Sequence, residues 1–247
     1  MKTIVLLFLV SCMSKITIEN IENLYYSEEN DFSVLVFTKT NGFVHKEAIK
    51  AGIKLIPKIG KKNKFNVYHT NNSKHINKEN IIKYKSVIFL NTTLDVLNDD
   101  EQNVFKEYIQ NGGGFVGIHS AADTEYDWKW YGKLVGGYFK SHPKIQNAKI
   151  QTITKNHIST SHLPDEWEIE DEWYNFNYNN PNIVVLLNLD ETTYKGGENG
   201  KEHPITWHHK YDGGKSFYTG LGHKSEVYLD ERFIKLLTGG ILYTSKR

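Results

Sequence analysis

Four short apolar runs, residues 32–37, 65–69, 86–90 and 114–118, alternate with segments whose apolar residues recur at helical spacing. The first connecting segment places Ala48, Ile49, Ile53, Ile56 and Ile59 on one stripe, with Pro57 leaving its end open. Residues 77–84 read as a short helix. Asn98 caps another, with Asp99, Asp100 and Glu101 in its first turn and Val104, Phe105, Tyr108 and Ile109 on its apolar face. Runs of β-branched and aromatic residues bury both faces only inside a sheet, so strand and helix in alternation imply parallel βαβ units. After Pro143 the pattern changes. Residues 148–154, 183–187, 205–210 and 215–219 read as strands, the last two flanking the hairpin signature Tyr211-Asp212-Gly213-Gly214, and residues 229–243 close the chain as a helix. The expectation is one α/β domain over residues 32–247: a parallel sheet flanked by helices, with a β-rich second half.

The stretch from residue 111 to 143 is the densest in chemistry. Gly112, Gly113 and Gly114 feed the strand Phe115-Val116-Gly117-Ile118, which ends on His119; Asp123, Glu125 and Asp127 follow, and His142 closes the stretch. A strand that delivers a histidine and then carboxylates is the layout of a site beyond the carboxyl ends of a parallel sheet. If the sheet is parallel, the exits of the first, third and fourth strands share one edge. His45, Asn91 and His119 then converge there, with Glu125 and Asp127 close behind.

Neutral imidazoles and a carboxylate hold zinc or another divalent metal, and His45, His119 and His142 are the candidate ligands. The same groups without a metal make a general acid–base pair. The segment Asp171-Glu172-Trp173-Tyr174 reads either as a polar and aromatic sugar platform, with Trp173 as its wall, or as core. His203, before Pro204, and His223, after Gly222, sit at further loop exits. His69, His75, His157, His162, His208 and His209 read as surface or structural residues.

Several chemistries are not indicated. The three glycines precede a strand and no Lys-Ser/Thr follows, so they form no phosphate loop. Ser120 lacks the Gly-x-Ser-x-Gly elbow of serine hydrolases. No clear carboxylate pair marks a direct glycosidase. With a formal net charge of +1 and no basic block, a nucleic-acid partner is disfavoured.

At the N-terminus, Lys2 precedes the apolar run 3–10 and then Ser11-Cys12, which is too short for a membrane span and has the form of a signal segment. Leu9-Val10-Ser11-Cys12 resembles a bacterial lipobox, with Cys12 as the lipidated residue. Cys12 is the only cysteine, which excludes a disulfide framework. The expectation is a signal peptide over residues 1–11, a polar tether over 12–31 and an exported protein anchored by lipid to a bacterial membrane.

Taken together, Gly112-Gly113-Gly114-Phe115-Val116-Gly117-Ile118-His119, Asp123-Thr124-Glu125-Tyr126, Ser141-His142-Pro143, Asp171-Glu172-Trp173-Tyr174, His203-Pro204-Ile205 and Gly220-Leu221-Gly222-His223 resemble the ThuA-like family, named for trehalose utilisation. The resemblance spans nearly all of residues 32–245. It implies a flavodoxin-like sheet similar to the class I glutamine amidotransferase domain. Those enzymes carry a catalytic cysteine on the strand exit where this chain has Ile118-His119-Ser120, so glutaminase chemistry is not expected. It also implies sugar catabolism, with a carbohydrate such as a glycoside or 3-keto sugar as the small-molecule partner. On that basis His119 and Glu125 are the expected acid–base groups. His45, Asn91, Asp127, His142, Trp173, His203 and His223 are the expected substrate-binding groups. A non-catalytic sugar-binding lipoprotein is the rival reading.

Overall fold

The computed structural model describes residues 21–246. The expected signal peptide, Cys12 and the first part of the expected tether lie outside the described residues. Of the remaining tether, Glu22–Tyr25 forms a strand, β1. The other elements are β2 (Phe32–Phe37), α1 (Lys46–Asn63), β3 (Phe65–Thr70), α2 (Lys78–Ile81), β4 (Ser86–Leu90), α3 (Asp99–Gln110), β5 (Gly114–Ile118), α4 (Lys129–Val135), β6 (Gly137–Ser141), β7 (Gln146–Thr152), β8 (Glu166–Asp171), β9 (Asn175–Tyr178), β10 (Val184–Asp190), β11 (Pro204–Tyr211), β12 (Gly214–Thr219) and α5 (Glu231–Ser245).

Ten strands form one sheet in the order β1-β3-β2-β4-β5-β12-β11-β10-β7-β8. Neighbours from β3 to β12 pair parallel, so the βαβ reading of the first half holds. The β-rich second half extends the same sheet antiparallel through β11, β10, β7 and β8. Only β12 joins the parallel set, next to β5. A separate ribbon pairs β6 with β9 beside α4.

Alternation along each strand sends side chains to both faces, and both are covered. Phe89 and Phe115 meet Phe105 of α3 and Tyr131 of α4 on one face. On the other, α1 and α5 pack against each other and the sheet, and Ser86 bonds Thr244. Helix α1 buries Ala48, Leu55, Ile56 and Ile59 and runs through Pro57 without stopping. Its end is set by Lys64 in the left-handed conformation, whose N–H caps the Gly60 carbonyl. Asn98 and Glu101 form a full capping box at the start of α3. Among the described residues no helix is long and apolar enough to cross a membrane.

Candidate metal centre

The exits of β2, β4, β5 and β12 open on one edge because these strands run parallel. Three of the exits carry a histidine into the same space. His45 follows the loop after β2 and precedes α1. His119 leaves β5 with φ +49, a left-handed backbone that costs a non-glycine residue of order 1 kcal/mol or more and turns the chain sharply into a 3₁₀ turn. The loop after β12 supplies His223. The fourth group, Glu172, follows β8 at the far side of the sheet.

One donor atom from each of His45, His119, Glu172 and His223 lies within 4.8 Å of the other three. His119 Nε2 is 3.2 Å from His223 Nδ1 and 3.4 Å from Glu172 Oε2, and His223 Nδ1 is 3.0 Å from the same oxygen. Donors bound about 2.0–2.1 Å from a tetrahedral zinc lie about 3.3 Å apart, so these separations fit a common ion. Two of the imidazoles, His45 and His119, are held in the form that a metal needs. His119 Nδ1–H donates to the Gly220 carbonyl at 2.9 Å, which leaves Nε2 as a free lone pair facing the cluster. His45 Nδ1 meets Ser120 Oγ at 3.3 Å. Burial, with His119 and His223 alongside, pulls His45 down to about 3, so its ring is neutral. Burial alone would lower His223 and raise Glu172. At Glu172 the hydrogen bonds and charges of His119 and His223 together outweigh burial, and at His223 the hydrogen bond and charge of Glu172, with the charge of Asp171, do the same. His223 is held above its ordinary value and Glu172 well below the usual carboxylate range.

A supporting layer fixes these groups. Asp171 is wholly buried and accepts the N–H groups of Gly222 and Lys224, on either side of His223. Asn91, at the β4 exit, donates to the Gly222 carbonyl at 3.1 Å and accepts from the Tyr228 hydroxyl at 3.1 Å. It positions the loop and does not face the cluster as a donor. Tyr174 packs against His119 in a tilted arrangement, with ring centroids 4.2 Å apart. His203 accounts for that placement: its Nε2 donates to the Tyr174 carbonyl, and its Nδ1 meets Glu191 at 2.8 Å. Burial holds His203 below its ordinary value. It is a prop beneath the site.

Besides Asn91 and His203, four more of the expected site residues stand outside the cluster. Glu125, read as the partner of His119, is 1% exposed; its Oε1 accepts the N–H groups of Val96 and Leu97, and its Oε2 accepts Gln102 Nε2. It pins the β4–α3 loop and stands outside the cluster, where Glu172 is the carboxylate. His142, expected among the ligands, is largely exposed and reaches the cluster only through Glu172 Oε1, at 3.1 Å. Trp173 is wholly buried and donates to the Gln146 carbonyl, so it is core and no sugar wall. Asp127 is exposed on the turn before α4 and is not among the converging groups. Ser120, set aside as a nucleophile in the absence of a serine-hydrolase elbow, meets His45 Nδ1 through its Oγ at 3.3 Å. The signal for Glu172 lay in the segment Asp171-Glu172-Trp173-Tyr174, an acidic pair at a strand end.

The chain matches the family model described as ThuA, trehalose utilisation, over residues 33–244. A ThuA-like protein from Bacteroides uniformis has a similar structure, with a TM-score of 0.74 and 24% identity over 87% of this chain and 91% of the other. Another, from Parabacteroides merdae, gives 0.70 and 19% identity over 87% and 90% of the two chains. A β-galactosidase from Bacillus circulans contains the same fold within a longer chain, at 0.57 and 11% identity over 87% of this chain and 31% of that one. No curated protein matches the chain. The chain belongs to the ThuA family and has the glutamine amidotransferase-like fold of its relatives; the family's description implies a role in sugar metabolism.

Proposed function

We propose that this ThuA-family protein is an enzyme acting on a keto-sugar derivative at a divalent metal held by His45, His119, Glu172 and His223. The observation that carries the reading is the convergence of three imidazoles and one carboxylate within 4.8 Å at the carboxyl edge of the sheet. Three nitrogen donors and one oxygen donor are a zinc-type set, and metals of that class also accept a further oxygen ligand. A metal there would polarise a ketone or hold adjacent sugar oxygens. The chain's own residues do the rest. The Gly220 carbonyl keeps His119 in one tautomer, Asp171 fixes the backbone that carries His223, and Phe43, 68% exposed beside His45 at 4.8 Å between ring centroids, offers an apolar face to a sugar ring. A keto group makes the neighbouring C–H acidic, so isomerisation, or elimination of a glycosidic substituent, is the chemistry this centre suits.

The test is elemental analysis of the purified protein beside His119→Ala and Glu172→Gln, followed by turnover of methyl 3-keto-α-glucoside monitored by NMR. Near-stoichiometric metal in the parent and its loss in both variants is the expected result. A parent that binds no zinc, manganese or iron after dialysis against each would sink the metal centre. A loaded parent inert towards the keto-glucoside would sink the keto-sugar assignment.

A further inference from the structure

With His119, His223, His45 and Glu172 committed to one another, any proton moved on a substrate needs another carrier. Among the acidic residues at or behind this edge, Asp123, Glu125, Asp171 and Glu172 are at least partly buried. Both oxygens of Glu125 and of Asp171 are taken by donors of the protein, and Glu172 is enclosed by three histidines. Asp123 is different. It ends the 3₁₀ turn that His119 begins, with its backbone fixed by N–H donation to the Ser120 carbonyl and by acceptance from Leu94 N–H. Its Oδ1 accepts the Tyr126 hydroxyl at 2.6 Å, while Oδ2 has no donor among the described residues.

Tyr126 has one hydroxyl proton and two acceptors, Asp123 Oδ1 at 2.6 Å and the Phe139 carbonyl at 3.2 Å. When Asp123 is ionised the hydroxyl donates to it. When Asp123 is protonated, the carboxyl donates to the Tyr126 oxygen, whose own proton turns to the Phe139 carbonyl. The Asp123–Tyr126 hydrogen bond is therefore kept in both states, which lets the residue take up and return a proton with little reorganisation. Asp123 closes the turn that His119 opens, and the Phe139 ring lies 4.3 Å from that of Tyr174, which packs against His119, so the relay lies one layer of rings from the cluster. Burial raises Asp123 above the ordinary carboxylate range, against the Tyr126 bond and the nearby His119.

We propose that Asp123, relayed by Tyr126, is the acid–base group that moves the substrate proton beside the His45, His119, Glu172 and His223 centre. The inference rests on the function proposed above. In the forward step the carboxylate of Asp123 removes the proton from the carbon next to the ketone. The C–H electron pair becomes the C=C bond of an enolate, and the carbonyl π pair moves to oxygen. When the enolate reforms the ketone, its electrons expel the substituent one carbon further on. That C–O bond breaks and Asp123 returns its proton to the departing oxygen. No oxidant or reductant is consumed.

The experiment compares the full chain with Asp123→Asn and Tyr126→Phe, measuring metal content, methyl 3-keto-α-glucoside turnover and the titration of [γ-¹³C]Asp by NMR. Asp123→Asn should keep its metal and hold KM within about threefold while kcat falls roughly 10²–10⁴-fold. Tyr126→Phe removes a donor to the carboxylate, so the Asp123 resonance and the acid limb of the pH–rate profile should both move to higher pH. Asp123→Asn with kcat within threefold of the parent overturns the proposal. A loaded parent inert towards this substrate sinks the keto-sugar reading instead, and Asp123 is then decided by its titration. An ordinary aspartate value, unmoved by Tyr126→Phe, overturns the relay; a raised value that moves further up supports it.

Discussion

Asp171 holds His223 by the backbone on either side of it, accepting Gly222 N–H at 2.7 Å and Lys224 N–H at 3.0 Å with its two oxygens. A strand from the antiparallel half of the sheet thereby fixes a loop that leaves the parallel half. Asp171→Asn presents an amide to one of those N–H groups and leaves it unpaired in a buried place. Metal affinity should drop about 10- to 100-fold, as for other changes behind metal ligands. Competition against a zinc chelator measures it; affinity equal to the parent's would contradict the arrangement.

Glu172 and Glu125 differ in whether the metal depends on them. Glu172→Gln removes the charge that the histidines face, and should abolish metal binding, with a loss of stability that fades as pH falls and the parent's Glu172 loses its own charge. Glu125→Ala strands the N–H groups of Val96 and Leu97, and should cost about 1–3 kcal/mol of folding stability. Its metal stoichiometry should stay at the parent's value. Urea unfolding beside elemental analysis of the two variants reads both effects.

The parallel half was legible because its strands and helices have different periods, and the Asn98 cap because Glu101 stands three residues on. His45 and His119 were legible as exits of strands expected to share an edge, and the Gly222-His223 turn only as a further loop exit. Glu172 was not, because its place depends on β8 lying at the end of an antiparallel extension whose order no local pattern encodes. Glu125 follows His119 closely in sequence, yet its own φ of +55 and the N–H groups of the neighbouring loop turn it away. Trp173 shows the same limit: an aromatic beside two acids reads equally as ligand platform or core, and only the sheet's far half decides.

Gly222 provides a further test of the exit loop. Its φ is +111, and an added Cβ would lie 2.9 Å from the Tyr228 hydroxyl and 3.0 Å from the Ile118 side chain. Its carbonyl also accepts Asn91 and Tyr228. Gly222→Ala should therefore cost about 1–3 kcal/mol, by backbone strain, and weaken metal binding by displacing His223. Thermal unfolding of the metal-free and zinc-loaded variant checks this: the stabilisation by zinc should shrink along with the basal stability.

Acid should destabilise the fold through histidines remote from the cluster. His209 is 2% exposed, its Nε2–H donates to the Lys133 carbonyl, and burial lowers it to about 4. The unfolded chain takes up this proton below about 6.5, whereas the folded protein refuses it until about 4. Full stability is thus present above the unfolded value and is lost as pH falls through that window, at up to about 1.4 kcal/mol per pH unit for one such group. His209→Gln keeps a donor for Lys133 and has no proton to gain. Urea midpoints at pH 7 and pH 4.5 should fall less for His209→Gln than for the parent, and an equal fall in both would assign the acid sensitivity to other groups, of which the stacked pair His157 and His208, 4.4 Å apart and both lowered by burial, is the next to test.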